Sequence, residues 1–581
     1  MRLLPWSALG GAGIAAGAIL IAAYVGALGS LATCGADGGR VCIVWPGGAS
    51  AATWLVFIAI IGGLALTQAR DWGHTSLARR ELLLLLAVLG VALVERTARP
   101  DLADVGYDEA SAASLVAAWR LDGLFPLTGI VSSVNIPNPP GWPYLLALVL
   151  LWVDSPYAVV ALGVGAGLLS TLLTWWVARR WIGTWGALGA AVFYAGGFWA
   201  AFLGRGGWQP VFLQLPVILC LDALMILAIR RWPWAFALAC GWLGLMVQLH
   251  YIALVFAVMF PIAAWPARKT LRPVHLLTGG LIFVALLTPF LIYELNPSIR
   301  FQDFGLLSAD AAGQGSHWDL EAWNLTWTLA SNGGVAGLAG PDTEGLREAL
   351  GRWSNLGKLG VPLVGFGLAA AVAGWPRGWR GGLIAAWALT PAIGLAHHTL
   401  GLLFHYLYIA LPGMALSVGA LVEWTVLQKR RMLPAVVACA LGVFVGVSAA
   451  TLWVVLDQVQ QSGLYTGDAR PLGLNMAAAH AARAAFAPGD QVLIGGPAWQ
   501  VEMLRFSIGH DLRPRIFDDC REVPPVSQGM YVLNNAQTPA AMALGTSGAP
   551  LLARVLRPDG SFLVFGSPPG PVSVTPVANC T

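Results

Sequence analysis

The strongest constraint on this chain is a succession of apolar stretches about as long as a bilayer is thick. A run of about 18 or more residues with almost no charge satisfies its backbone in lipid only as a helix, so it reads as a membrane span. Thirteen spans are predicted, at roughly 7–29, 51–68, 81–97, 156–177, 184–202, 209–229, 233–248, 250–265, 273–294, 357–374, 380–397, 400–424 and 432–456. Hydrophobic residues make up 57% of the 581 positions and charged residues 11%, with a mean hydropathy of +0.69, which excludes an ordinary soluble enzyme or a nucleic-acid-binding protein. Two of the spans, 233–248 and 250–265, are short and meet at QLHY. That break predicts a tight hairpin that crosses only in part, inside protein or beside a wet cavity.

Lys and Arg set the orientation. With the N-terminus inside, the short inner loops carry Arg70, Arg79, Arg80, Arg179, Arg180, Arg230, Arg231, Arg268, Lys269, Arg272, Arg377, Arg380, Lys429, Arg430 and Arg431, whereas the short outer loops carry only Arg40 and Arg205. This asymmetry predicts a multi-pass plasma (inner) membrane protein with a cytoplasmic N-terminus. Three long segments then lie outside: 98–155, 295–356 and the tail 457–581. Cys34 and Cys42 share one outer loop, and Cys520 and Cys580 share the tail, so disulfides 34–42 and 520–580 are expected there. LATCG at 31–35 also resembles a lipoprotein cleavage box, which makes Cys34 a lipidation candidate, but the preceding apolar run is long for a signal peptide and favours an uncleaved span.

The first outer segment opens on GYDEASAASL, 106–115, which holds adjacent carboxylates at Asp108 and Glu109. Ala112, Leu115, Val116 and Trp119 then recur at helical spacing, which predicts a short interfacial helix with Trp119 at headgroup depth. The prolines of NIPNPPGWPYLLALVLLW, 135–152, forbid a regular helix before about Trp142, and the rest is too short to span. In the second outer segment, SHWDLEAWNLTW, 316–327, predicts a short helix with aromatic anchors. The tail changes character. GDQVLIGGPAWQVEMLRFSIG reads as strand, turn and helix, and GMYVLNN and SFLVFG as strands, which makes a small α/β domain. Its glycine spacing is not that of a dinucleotide fingerprint.

Asp108 has two readings. Asp is a favoured N-cap and a helix follows it. Its setting suggests more. The order of a span, DEA, a short helix, PPGWPYLLAL, paired short helices, Arg-Arg inner loops, the LHYIAL break and FHYLYIALPGMALSVG resembles the GT-C superfamily of membrane glycosyltransferases over roughly 81–425. The likeness is to the protein O-mannosyltransferase and lipid A aminoarabinose transferase branch in particular. It implies a GT-C-like catalytic module at 81–456, two extra N-terminal helices within 1–80 and the extracytoplasmic α/β domain at 457–581. It further implies a polyprenyl-phosphate-linked sugar as donor, a lipid, glycan or protein acceptor, and an acidic base at the head of the first outer loop. That role falls on Asp108, with Glu109 as companion and Tyr107 beside them.

The chemistry is consistent with one base. A hydroxyl acceptor needs a carboxylate within hydrogen-bond reach, while a leaving phosphate needs only cationic or hydrogen-bond stabilisation. Neighbours on a helix point about 100° apart, so Asp108 and Glu109 are expected to divide the work, one in the chemistry and one holding a loop or a metal. Arg205 in FLGRGGWQP suits a phosphate, its bland alternative being an ordinary interfacial arginine. Gln209 stands near a place where such families carry an acid, which weakens a metal there. His250 in QLHY and His405 with Tyr406 are polar residues at membrane depth and so substrate-lining or phosphate-binding candidates, although a lone histidine in a span is usually just hydrogen-bonded. Glu294 ends a span before NP and joins the candidate lining. No cofactor is required by the sequence; a divalent metal is possible but lacks ligand spacing. The rival reading is a transporter or lipid flippase of the cell envelope.

Overall fold

The computed structural model describes residues 17, 31–34, 40–44, 49–70, 77–132, 136–295, 317–339, 343–374, 379–398, 401–428, 432–465, 470–526, 528–558 and 560–574. Seven helical stretches among them are long and apolar enough to cross a membrane: Ser50–Arg70, Pro156–Trp181, Gln209–Arg230, Pro273–Glu294, Arg352–Gly374, Phe404–Leu427 and Met432–Ser462. The bundle comprises α1 (Ala49–Arg70), α2 (Arg79–Thr97), α3 (Tyr107–Asp122), α4 (Gly141–Leu150), α5 (Pro156–Trp181), α6 (Thr184–Gly196), α7 (Phe198–Leu203), α8 (Gln209–Met225), α9 (Trp234–Leu249), α10 (Met259–Ala264) and α11 (Pro273–Glu294). After the second outer segment come α12 (Glu321–Ser331), α13 (Thr343–Leu350), α14 (Gly360–Gly374), α15 (Trp379–Gly394), α16 (Phe404–Leu407), α17 (Leu411–Leu427) and α18 (Met432–Ser462).

Several expected spans take other forms. The stretch 184–202 is broken between α6 and α7, where Gly197 turns extended. The break sits where α18 packs closely, since a Cβ on Gly196 would lie 2.6 Å from Val445. The QLHY break is an extended His250 that ends α9, and its Nδ1 accepts from the Ile252 amide to cap a 3-10 helix, Tyr251–Val258, before α10. The expected first span, 7–29, lies outside the described residues apart from Gly17.

Helix α3 corrects an expectation. Ala112, Leu115, Val116 and Trp119 are buried in protein rather than laid on a lipid surface. A small sheet, β1 (Leu31–Cys34), β2 (Arg40–Val44) and β3 (Leu124–Pro126), brings the 31–44 hairpin against this helix, with Cys42 packed on Leu115. Cys42 is disulfide-bonded, as is Cys520. The side chain of Cys34, and Cys580, lie outside the described residues. Cys220, Cys240 and Cys439 are free thiols.

The tail forms an α/β domain from α19 (Leu472–Ala485), α20 (Ala498–Ile508) and α21 (Pro539–Thr546). With the two-residue strands β4 (His317–Trp318) and β5 (His397–His398) paired in the second outer region, its five strands are β6 (Gln491–Gly495), β7 (Arg515–Phe517), β8 (Gly529–Leu533), β9 (Leu551–Arg557) and β10 (Gly560–Gly566). Their order is β7-β6-β8-β10-β9, with β6 parallel to both neighbours. The alternation of β6 sends Val492 and Ile494 to one core and Leu493 to the other, so helices cover both faces.

Deep in the bundle, near the end of α8, Asp222 is fully buried and fully engaged. It accepts from Trp181 Nε1 at 2.6 Å, Gln68 Nε2 at 2.8 Å and Arg180 at 3.0 Å, and Arg180 and Arg230 lie over the Trp181 ring. This knot ties α1, α5 and α8 together. Removing one partner of a buried pair strands the others, at a cost of about 3–5 kcal/mol. Asp222→Ala is therefore expected to lower the unfolding midpoint in detergent sharply, as read by scanning fluorimetry; a midpoint equal to the wild type would show the knot to be dispensable.

Candidate active site

Arg205 explains how the chain reaches the site. Its guanidinium is buried and donates to the carbonyls of Glu95 at 2.8 Å and Arg99 at 2.9 Å, where α2 ends and its last carbonyls lack helical partners. Arg99 turns left-handed there, the turn Pro100–Leu102 follows, and the chain runs extended through Ala103 towards Asp104. Gly206, next to Arg205, has to be small: a Cβ there would stand 2.6 Å from the Asp104 carbonyl.

The result is a pocket of about 200 Å³ walled by Asp104, Tyr107, Asp108, Glu109, Phe202 and Trp208, with Gly106, Leu203 and Gly206 closing it. The helix start differs from the expected one. Gly106 is the N-cap, and Glu109, at the third helical position, accepts from the Gly106 amide at 3.0 Å. Asp108 is thereby released from capping, and its Oδ2 accepts from Trp208 Nε1 at 3.0 Å. Both adjacent carboxylates face the one pocket, because it wraps around the first turn rather than lying along one side of the helix. Trp208 also packs edge-on against His405, with ring centroids 4.6 Å apart. His405 in turn meets Tyr406 at 4.5 Å, and His250 lies 5.4 Å from Tyr406. Asp108, Trp208, His405, Tyr406 and His250 thus form one continuous chain of contacts from four distant parts of the sequence.

Other expected residues fall elsewhere. Arg205 lies behind the pocket, with both terminal nitrogens given to backbone carbonyls, so the expected phosphate contact is replaced by a structural one. Gln209 is buried at the start of α8, its Nε2 without a partner. Glu294 is buried at the end of α11, away from the pocket lining. Asp104 and Trp208 were not singled out from the sequence. Asp104 precedes Asp108 by four residues in the same outer segment, a spacing that was there to be read; Trp208 was visible only as a neighbour of Arg205.

Electrostatics separates the three carboxylates. Burial, then the charges of Asp108 and Asp104, push Glu109 up to about 8. Burial and Asp108 push Asp104 up to about 6. At neutral pH Glu109 therefore holds its proton, which removes one repulsion from beside Asp108. The oxygens of the three do not converge as a metal cluster does. Among the described residues, sets with ligand atoms within 4.8 Å of one another are Asp319–Glu321–His398, in the second outer region, and Asp518–Asp519–Cys520, whose cysteine is disulfide-bonded.

No protein-family model matches the chain, and no curated protein matches it. Solved structures do. ArnT from Cupriavidus metallidurans, in the apo state and bound to undecaprenyl phosphate, is similar at a TM-score of 0.52 and 14% identity, over 84% of this chain and 97% of that one. The Archaeoglobus fulgidus oligosaccharyltransferase is similar at a TM-score of 0.41 and 13% identity, over 75% of this chain and 64% of that one. At 14% identity, the ArnT likeness is one of fold alone.

The raised Glu109 predicts a pH-dependent stability. The folded protein holds a proton that the unfolded chain releases near 4.5, so this stability is full below that pH, declines as pH rises and is lost above about 8. The wild type is expected to lose melting temperature relative to Glu109→Gln as pH rises from 5 through 7 to 9. Glu109→Gln, which keeps an acceptor for the Gly106 amide, is expected to flatten the decline between pH 6 and 8; parallel curves for the two proteins would contradict it.

Proposed function

We propose that the chain is a membrane glycosyltransferase that moves a sugar from a polyprenyl phosphate to a hydroxyl of a lipid, glycan or protein acceptor. The observation that carries this reading is Asp108: a carboxylate on a pocket wall, not used as a helix cap, and oriented by the Trp208 indole. In the proposed reaction the acceptor O–H gives its proton to Asp108. The acceptor oxygen then attacks the anomeric carbon and the bond from that carbon to the phosphate oxygen breaks. The sugar is inverted and polyprenyl phosphate leaves. No general acid is needed, because phosphate already leaves readily. His405 and Tyr406, beyond Trp208, are the groups we place nearest the donor phosphate. No step of this reaction runs through a metal.

The ArnT structure with undecaprenyl phosphate supports a polyprenyl carrier, since the two chains share a fold over nearly the whole of that protein. The topology that goes with this reading has thirteen crossings in the inner membrane, a cytoplasmic N-terminus, and the pocket and α/β domain outside. Within it, disulfides 34–42 and 520–580 lie in an oxidising compartment.

Asp108→Asn is isosteric and keeps an acceptor for the Trp208 indole. Transfer from a labelled polyprenyl-phosphate sugar is expected to fall by roughly 10²–10⁴-fold, with the melting curve unchanged. Undiminished transfer by a folded Asp108→Asn protein would sink the assignment of the base.

A further inference from the structure

The α/β domain grips the segment that carries the pocket carboxylates, and it does so on both sides of them. On the upstream side, Tyr465, in the connection from α18, is buried and donates its hydroxyl to the Leu102 carbonyl at 2.6 Å. The Leu472 amide donates to the Ala103 carbonyl at 3.1 Å, one residue before Asp104. Gly473 sits so close that a Cβ on it would stand 2.8 Å from Asp101. The ring of Tyr465 also meets Phe202, a wall of the pocket, with centroids 6.0 Å apart.

On the downstream side the grip is polar and buried. Ser114, two turns along α3 from the carboxylates, donates to Glu502 of α20 at 2.7 Å or to the Ala110 carbonyl at 3.0 Å. His510 Nε2 lies 3.2 Å from the same hydroxyl, and its Nδ1 lies 3.1 Å from Asp154. Arg120 binds Asp154 at 2.6 Å, Arg505 lies 3.3 Å from Glu502, and Arg513 binds Asp122 at 2.9 Å. Burial works to raise Asp154, but its bonds with His510 and Arg120 outweigh that and hold it at about 2. Ser114, His510 and Asp154 stand in the order of a hydrolytic triad. Ser114, however, is 5% exposed and its one proton is already committed to Glu502 or Ala110, so the array serves as a lock.

We propose that the α/β domain positions the carboxylate-bearing turn, residues 104–109, and that Tyr465 and the Ser114–His510–Glu502 node are its positioning residues. A turn exposed to solvent on an outer loop is otherwise the kind of segment that opens locally. Asp104, Asp108 and Glu109 lie between the two grips, and the buried setting that separates their ionisation depends on both.

The test uses the full-length protein in lipid nanodiscs, with Tyr465→Phe, Ser114→Ala and the double variant. Each removes a hydroxyl and leaves the packing in place. Hydrogen exchange of amides 104–109 is expected to rise about tenfold in the double variant, while the bundle helices exchange as before. Kinetically, kcat for sugar transfer is expected to fall with KM for the donor little changed. Gly473→Val, which wedges the upstream grip apart at Asp101, is expected to give the same pattern. Unchanged exchange at 104–109 in both the double variant and Gly473→Val would overturn the proposal. The kinetic arm rests on the glycosyltransferase reading and the exchange arm does not, so a wild type without transfer would defeat that reading and leave the positioning role to be decided by exchange.

Discussion

The site depends on how one helix ends. A helix that leaves an apolar bundle carries its last carbonyls into a region where water does not reliably reach them. At the end of α2 the guanidinium of Arg205 takes one of these carbonyls, from Glu95, together with that of Arg99 in the turn just beyond, and so ties the helix end to the chain that follows. The pocket is then a matter of short reach: five residues beyond Arg99 comes Asp104, and nine beyond it comes Asp108. The glycines around Arg205 let the two backbones meet. Gly204 lies where a Cβ would be 2.7 Å from Arg96, and Gly206 presses on the Asp104 carbonyl. A phosphate-binding arginine and a helix-ending arginine have the same sequence signature; the difference is only where the guanidinium points.

Three carboxylates around one small cavity would ordinarily repel one another and open it. Here each has a different partner or charge state. Glu109 is held near neutrality and accepts from a backbone amide, Asp104 sits between, and Asp108 is held by an indole N–H. The hydrogen bond to Trp208 orients the carboxylate without adding a positive charge. An ion pair to a cation in the same place would weaken Asp108 as a base. An uncharged donor is therefore compatible with the proposed role of Asp108 in taking up a proton.

The sequence made the bundle legible because bilayer thickness imposes long apolar runs, and it gathered Asp108, His250, His405 and Tyr406 onto one side through the distribution of Arg and Lys. It also placed the strands and helix of the tail, where alternation and glycine turns are local signals. What it did not reveal depended on partners far away in the chain. The apolar face of α3 matches a lipid surface as well as it matches protein. Partners distant in the chain decide that it is buried: Cys42 packs on Leu115, Trp54 meets Trp119, and α20, nearly four hundred residues later, binds Ser114. The helix start was misplaced by the same kind of ambiguity: Asp108 and Glu109 both suit the first turn, and the choice between them rests on the Gly106 amide finding the longer side chain.

The α8 helix links these local arrangements to the whole. It begins beside Trp208, which holds Asp108, and runs to Asp222, roughly 20 Å away along the helix axis. At that far end Asp222 binds α1 and α5 through Gln68, Trp181 and Arg180, and the helix closes with a π turn, Ile226–Arg230. A helix anchored so firmly at its far end presents Trp208 at its near end as part of a rigid frame. The carboxylates come from the opposite kind of element, a loop and the first turn of α3, held in place by another domain. The pocket is thus a junction between a wall set by the bundle and a turn set by the α/β domain. A change in how that domain docks moves Asp108 relative to Trp208 while leaving the bundle where it was.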